Sequence, residues 1–153
     1  MSLEIIYGDI TKMDTEAIVN AANKTLWGGK GIDGAIHKAA GKRLLLECLT
    51  LGGCKTGQAK ITAAYRLPCK YIIHTVGPKY KKGNTQQEEQ LYNCYYNSLT
   101  LAYTHGIKSI AFPLISAGIY GYPADEVLKI AEKAIAAFLK EHEMQVYLVK
   151  FVK

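Results

Sequence analysis

Short apolar runs alternate along the chain with longer stretches of helical periodicity. Residues 3–7, 17–20, 59–65, 71–76, 109–113 and 145–152 are brief and rich in Ile, Val and Tyr, and turn residues follow each run, so they predict strands. A first helix is predicted over about 32–51, with Ile36, Ala39, Ala40, Leu44 and Cys48 on one face and Gly52-Gly53 as its stop. A second opens on Thr85-Gln86-Gln87-Glu88, which has the form of a capping box, buries Leu91, Cys94, Tyr95, Ser98, Leu99 and Ala102, and ends at Gly106. A third follows Pro123 and buries Val127, Ile130, Ala131, Ala134, Ile135 and Phe138. Strands alternating with helices predict an α/β protein, a three-layer α/β/α sandwich around a mixed, mostly parallel sheet.

No repeat or linker interrupts this pattern, and 153 residues suit a single domain spanning 1–153. Composition, 49% hydrophobic and 21% charged, is that of a globular protein. The longest apolar stretch, 110–123, is broken by Pro113, Gly118 and Gly121, so no membrane span is expected. Glu4 and Asp9 stand where a secretory leader needs a basic start and an apolar run, which makes the cytosol the expected location. The four cysteines, at 48, 54, 69 and 94, are widely spaced and read as free, buried thiols rather than disulfides or a metal site.

The net charge of +6 is unevenly distributed. Lys55, Lys60, Arg66, Lys70, Lys79, Lys81 and Lys82 fall within 48–87, which holds no carboxylate. A segment of this kind either attracts polyanions such as nucleic acid or forms a solvated face; without a nucleic-acid motif the solvated face is the better reading.

Two glycine loops carry the candidate chemistry. Trp27-Gly28-Gly29-Lys30-Gly31-Ile32-Asp33-Gly34 lies between a strand and a helix start, where bare N–H groups and the helix dipole face an incoming phosphate. Read literally, 29–34 fits the dinucleotide fingerprint G-x-G-x-x-G. That fingerprint needs an acid about 20 residues on, and residues 48–87 hold none. The loop also stands too far from its strand for a Rossmann turn, and no Walker A sequence is present. The second loop, Ile115-Ser116-Ala117-Gly118-Ile119-Tyr120-Gly121-Tyr122-Pro123, also connects a strand to a helix. Both loops either converge on one diphosphate or simply make turns. Asp9, Asn20 and Asn23 sit at strand ends, where such side chains read ribose hydroxyls or a base amino group, although Asp9 equally suits a turn or helix cap.

The motifs Gly8-Asp9-Ile10-Thr11, Ile18-Val19-Asn20-Ala21-Ala22-Asn23, Gly28-Gly29-x-Gly31-Ile32-Asp33-Gly34-Ala35-Ile36-His37, Thr56-Gly57-Gln58-Ala59, His74-Thr75-Val76-Gly77-Pro78 and Phe112-Pro113 through Tyr120-Gly121-Tyr122-Pro123 resemble, in order, a macrodomain of the MacroD type. The resemblance spans residues 4–151 and implies a domain that binds ADP-ribose. In that branch it also implies hydrolysis of the bond between the distal ribose C1″ and an attached group, on ADP-ribosylated Asp or Glu side chains of proteins or on O-acetyl-ADP-ribose. No cofactor or metal is implied. The alternative is a reader module that binds ADP-ribose without chemistry.

By motif position, Asp9 and the Ile10 backbone would hold adenine and Phe151 would stack on it. Ser116, Ala117, Gly118, Ile119 and Tyr120 would grip the diphosphate from one side and Gly28, Gly29, Lys30, Gly31 and Ile32 from the other. Tyr120 would cover the distal ribose, with Asn20 among the ligand-binding residues. Asn23 would bond the distal ribose hydroxyls and Asp33 would stand beside C1″, the two forming the catalytic pair. Hydrolysis there builds positive charge on the ribose, which a carboxylate stabilises, or it orients the attacking water; either Asp33 acts as the base or a substrate phosphate activates the water instead, and the other use of Asp33 is as a helix cap. His37, one turn on, is read as packed. Lys30 replaces a glycine usual in this branch, so it either strains the loop or aims its ammonium at the ligand. The ending 149–153 also departs from the pattern, lacking the acid that relatives often place after the aromatic.

Overall fold

The computed structural model describes residues 2–151. Six strands form one sheet in the order β1-β6-β5-β2-β4-β3: β1 (Ser2–Gly8), β2 (Ala17–Ala21), β3 (Ala59–Ala63), β4 (Tyr71–Thr75), β5 (Ser109–Phe112) and β6 (Gln145–Phe151). All neighbours run parallel except β3, which pairs antiparallel with β4. Helices α1 (Gly31–Ala40), α2 (Lys42–Leu49), α3 (Gln87–Thr104) and α4 (Ala124–Leu139) complete three layers, as the periodicity predicts. No helix among the described residues is long and apolar enough to cross a membrane.

Alternation along β2 shows why two apolar layers form. Ala17 and Val19 face the core built with α3 and α4, while Ile18 faces the second core, built with α1 and α2. Burial on both faces explains why Ala17, Ile18 and Val19 are apolar in succession instead of alternating with polar residues. From β5 the chain crosses through α4 to β6, on one side; from β2 it crosses through α1 and α2 to β3, on the other. The sheet therefore has its topological switch point between β5 and β2, where a crevice opens beyond the carboxyl ends of the strands.

Three local expectations are corrected. The helix predicted over 32–51 is two helices, broken at Gly41, whose φ of +92° and ψ of 177° lie outside helical space. Apolar spacing continued through the break because Ala40 and Leu44 both face the core, so periodicity concealed the bend. Thr85 does not cap α3: the cap residue is Gln86, with no side-chain cap bond, and the Gln86 N–H donates instead to Asn84 Oδ1. The strand predicted over 59–65 stops at Ala63, and Tyr65 takes a positive φ of 53°. The end of the last predicted strand, Val152, lies outside the described residues.

Tyr95, fully buried on α3, ties the helix layer to the loop beyond β5. Its hydroxyl donates to the Pro113 carbonyl at 2.8 Å and accepts from the Ile115 N–H at 3.0 Å. Tyr95→Phe leaves both backbone groups without a partner, at a cost of about 1–3 kcal/mol. Thermal unfolding should show Tm lowered by roughly 2–4 °C for each kcal/mol lost, with hydrogen exchange at Ile115 accelerated.

Candidate functional site

The loop after β2 is shaped by Asn23. Its Oδ1 accepts from the Leu26 N–H (3.0 Å) and the Thr25 hydroxyl (2.9 Å), and its Nδ2 donates to the Gly28 carbonyl at 2.8 Å. These bonds hold Leu26 at φ 65°, uncommon for a non-glycine residue, with its side chain fully buried. Gly29 then folds against the first turn of α1 so closely that a Cβ on Gly34 would overlap the Gly29 carbonyl oxygen. Helix α1 begins at Gly31 with no side-chain cap, which leaves its first N–H groups turned toward the crevice.

The loop after β5 is held as firmly. Ser116, at φ 67°, donates from its hydroxyl to the Pro78 carbonyl at 2.7 Å, and the Tyr122 N–H returns to the Ser116 carbonyl. Gly77 permits this approach, since a Cβ there would overlap Ser116 Oγ. The Tyr80 N–H donates to the Tyr120 carbonyl at 2.9 Å, and Lys79 Nζ lies 5.5 Å from the centre of the Tyr120 ring.

Both loops line one cavity of about 290 Å³ at the switch point. Of the residues singled out from sequence, Asn23, Gly29, Lys30, Gly31, Ile32 and Asp33 line it from the β2 side, and Ser116, Gly118, Ile119 and Tyr120 from the β5 side. Gly28 and Ala117 lie just behind this lining; Gly28 accepts from Asn23, and the ring of His37 backs it. Asp9, Ile10 and Phe151 lie outside the lining. Phe151, two-thirds exposed, pairs with Gly8 across the ends of β6 and β1, next to Asp9. Asp9 caps a short 3₁₀ turn (Ile10–Lys12), accepting from the Thr11 N–H and hydroxyl, and these bonds hold its carboxyl below the ordinary value. Sequence reading missed Ala21, Ala22, Gly77 and Leu114, which also line the cavity. Gly77 carried a signal, standing just beyond an apolar strand.

Asn20 is fully buried beneath the cavity. Its Nδ2 donates to Asp33 Oδ1 at 2.8 Å and to His74 Nδ1 at 3.2 Å, while its Oδ1 has no partner. Asp33 Oδ2 faces Gly29, and His37 Nε2 lies 3.5 Å from Oδ1 without a hydrogen bond. As the third residue of α1, Asp33 does not cap the helix; the cap position is Lys30. Lys30 itself is extended, at φ −103°, so its backbone needs no glycine and the strain alternative falls away. Its side chain is exposed at the rim.

The four cysteines are buried and free, and burial pushes Cys48, Cys69 and Cys94 up to about 11. Burial also raises the Asp33 carboxyl above its ordinary value, opposed by the Asn20 N–H and by His37. Folded protein therefore keeps the Asp33 proton at pH values where unfolded chain has lost it, and stability declines as pH rises through that window. Asp33→Asn removes this loss and can still accept from Asn20. Melting curves should show the variant with the higher Tm at pH 7, and the difference closing below the ordinary carboxylate range.

An open, mostly parallel sheet with two glycine loops and an uncapped helix start at its switch point defines an α/β domain built to bind an anionic, phosphate-bearing ligand. Residues 19–131 match the Macro domain family, and the chain belongs to it. It is 54% identical over 153 residues to a macro domain-containing protein of Methanosarcina mazei, covering 99% of this chain and 82% of that one. It is 52% identical over 145 residues to the ADP-ribose glycohydrolase MACROD2 of Xenopus laevis, covering 94% of this chain and 35% of that protein. Among solved structures, a variant of the Oceanobacillus iheyensis macrodomain with ADPR superimposes with a TM-score of 0.93 at 46% identity, covering 99% and 85% of the two chains.

Proposed function

We propose that this protein binds ADP-ribose and hydrolyses the C1″ ester of mono-ADP-ribosylated Asp or Glu side chains, or O-acetyl-ADP-ribose, releasing ADP-ribose. The observation that carries the reading is Asp33 in the cavity wall, with Oδ1 anchored by Asn20 and Oδ2 left on the Gly29 side, at an uncapped helix start. Relatives named as ADP-ribose glycohydrolases and neighbours solved with ADP and ADP-ribose support it.

In this reading the diphosphate lies between the N–H groups at the start of α1 and the Ser116–Tyr120 backbone, where partial positive charge from both offsets its negative charge. The distal ribose reaches Asn23 and Asp33. As the bond at C1″ breaks, positive charge gathers on the ribose, and ionised Asp33 stabilises it while orienting water. The adenosine end runs along the carboxyl edge of the sheet toward Phe151 and Asp9, which the strand order places on β6 and beyond β1. The cytosol is the proposed place of action.

A reader that binds without chemistry is the alternative. A contact of RNA or poly(ADP-ribose) with residues 55–82 is the weaker part of the proposal, because its charges are spread along β3, β4 and the turns around them. Lys60 Nζ donates to the Leu51 carbonyl, and Lys70 and Lys79 flank opposite ends of β4.

With a Glu-linked mono-ADP-ribosylated protein as substrate, the parent should release ADP-ribose, and Asp33→Ala should lose release by about 100-fold or more while still binding ADP-ribose in calorimetry. Binding by the parent without release would make the protein a reader. Because Lys30 is unstrained, Lys30→Gly should preserve affinity for ADP-ribose and alter only the rate of release; equal rates would remove Lys30 from the chemistry.

A further inference from the structure

Beneath the cavity a chain of buried polar groups runs away from Asp33 through the core that α1 and α2 share with the sheet. Asn20 Nδ2 has two hydrogens and two acceptors, Asp33 Oδ1 and His74 Nδ1. On the far side of the same ring, His74 Nε2 lies 2.9 Å from Thr62 Oγ1, and the Thr62 hydroxyl donates to the Ala63 carbonyl at 3.0 Å. Asn20, His74 and Thr62 are almost completely shut off from solvent.

The proton positions in this chain follow from the partners. The Thr62 hydroxyl gives its hydrogen to Ala63, so toward His74 it accepts, and His74 carries its proton on Nε2. Nδ1 then presents a lone pair to Asn20. Turning the Asn20 amide over would set its Oδ1 against that lone pair and against the Asp33 carboxylate, so both acceptors select the same orientation. The titratable groups facing His74 are Asp33 and His37 from α1 and Cys48 from α2, with Sγ 4.0 Å from Nε2. Burial pushes His74 down to about 3, which keeps the ring neutral and the lone pair available.

We propose that His74 is a positioning residue: locked by Thr62 at Nε2, its Nδ1 fixes the Asn20 amide, which holds Asp33 by Oδ1 and leaves Oδ2 toward the cavity. The inference rests on the hydrolase reading for its kinetic consequence, but the arrangement of Asp33 is measurable without turnover. His74 does not line the cavity, so its effect belongs to kcat and not to ligand affinity.

Two substitutions separate the nitrogens of the ring. In His74→Asn the short side chain returns an amide oxygen near the Nδ1 position and keeps the acceptor for Asn20. In His74→Gln the longer one reaches toward Thr62 and gives up that acceptor. Thr62→Val, of similar shape, frees the tautomer from the far end. Each protein would be assayed for release of ADP-ribose from a Glu-linked substrate, for ADP-ribose affinity, and by carbon NMR for the titration of the Asp33 carboxyl.

Expected is a fall in kcat of about tenfold or more for His74→Gln, with KM and ADP-ribose affinity within twofold of the parent and the Asp33 titration moved upward. His74→Asn should stay within about threefold of the parent in kcat, with an unmoved titration. Thr62→Val should fall between them. Parental kcat and parental Asp33 titration in His74→Gln, or equal losses in the Asn and Gln variants, would overturn the proposal and reduce His74 to core filling. No release by the parent would overturn the hydrolase reading instead, and the NMR titration would still decide the role of His74.

Discussion

The placement of β2 between β5 and β4 is the constraint on which the rest of the molecule depends. Parallel neighbours on both sides bury the strand on every edge and face, and the crossovers leave β5 and β2 in opposite directions. Those two departures open a crevice that no helix covers, and the loops that follow the two strands meet there. Small residues at the strand ends, Ala21, Ala22 and Gly77, keep the floor of the crevice free of bulk. The binding site is thus a product of topology before any particular side chain acts.

Backbone strain and an unmet polar group are both found at that crevice. Leu26, just before the first glycine loop, and Ser116, within the second, are non-glycine residues at positive φ, and each is held by a hydrogen bond that it donates to a neighbouring group. Below them the Asn20 Oδ1 is buried without a partner, an arrangement that costs about 1–3 kcal/mol. A core chosen for stability alone would not place an orphan carbonyl beside a carboxyl raised by burial. The two apolar layers around the sheet tolerate it because each is continuous and separately closed by a pair of helices.

The layers and helix faces were legible because apolar spacing encodes burial directly, as in α4, where Val127, Ile130, Ala134 and Phe138 all reach the core. The two loops were legible as candidates because glycines at strand-to-helix junctions suit an anion site, although spacing alone left simple turns as an equal reading and the shared cavity decided between them. What stayed hidden depended on three-dimensional neighbours. Gly41 breaks a helix whose apolar stripe continues on both sides, and Thr85 has the capping sequence while the chain enters α3 one residue later. The partnership of Asn20 with His74 links residues 54 positions apart and had no local trace. The backbone of Lys30 had to be seen before its substitution for glycine ceased to imply strain.

The thiols have a practical consequence. All four are buried, and burial raises each of them, so little thiolate exists at neutral pH to meet a reagent. A single cysteine placed at an exposed loop position such as Ile119 would be the one nucleophilic sulfur within easy reach. The native chain then needs no cysteine removal before a fluorophore is attached at the rim, where it would report the arrival of a ligand in real time.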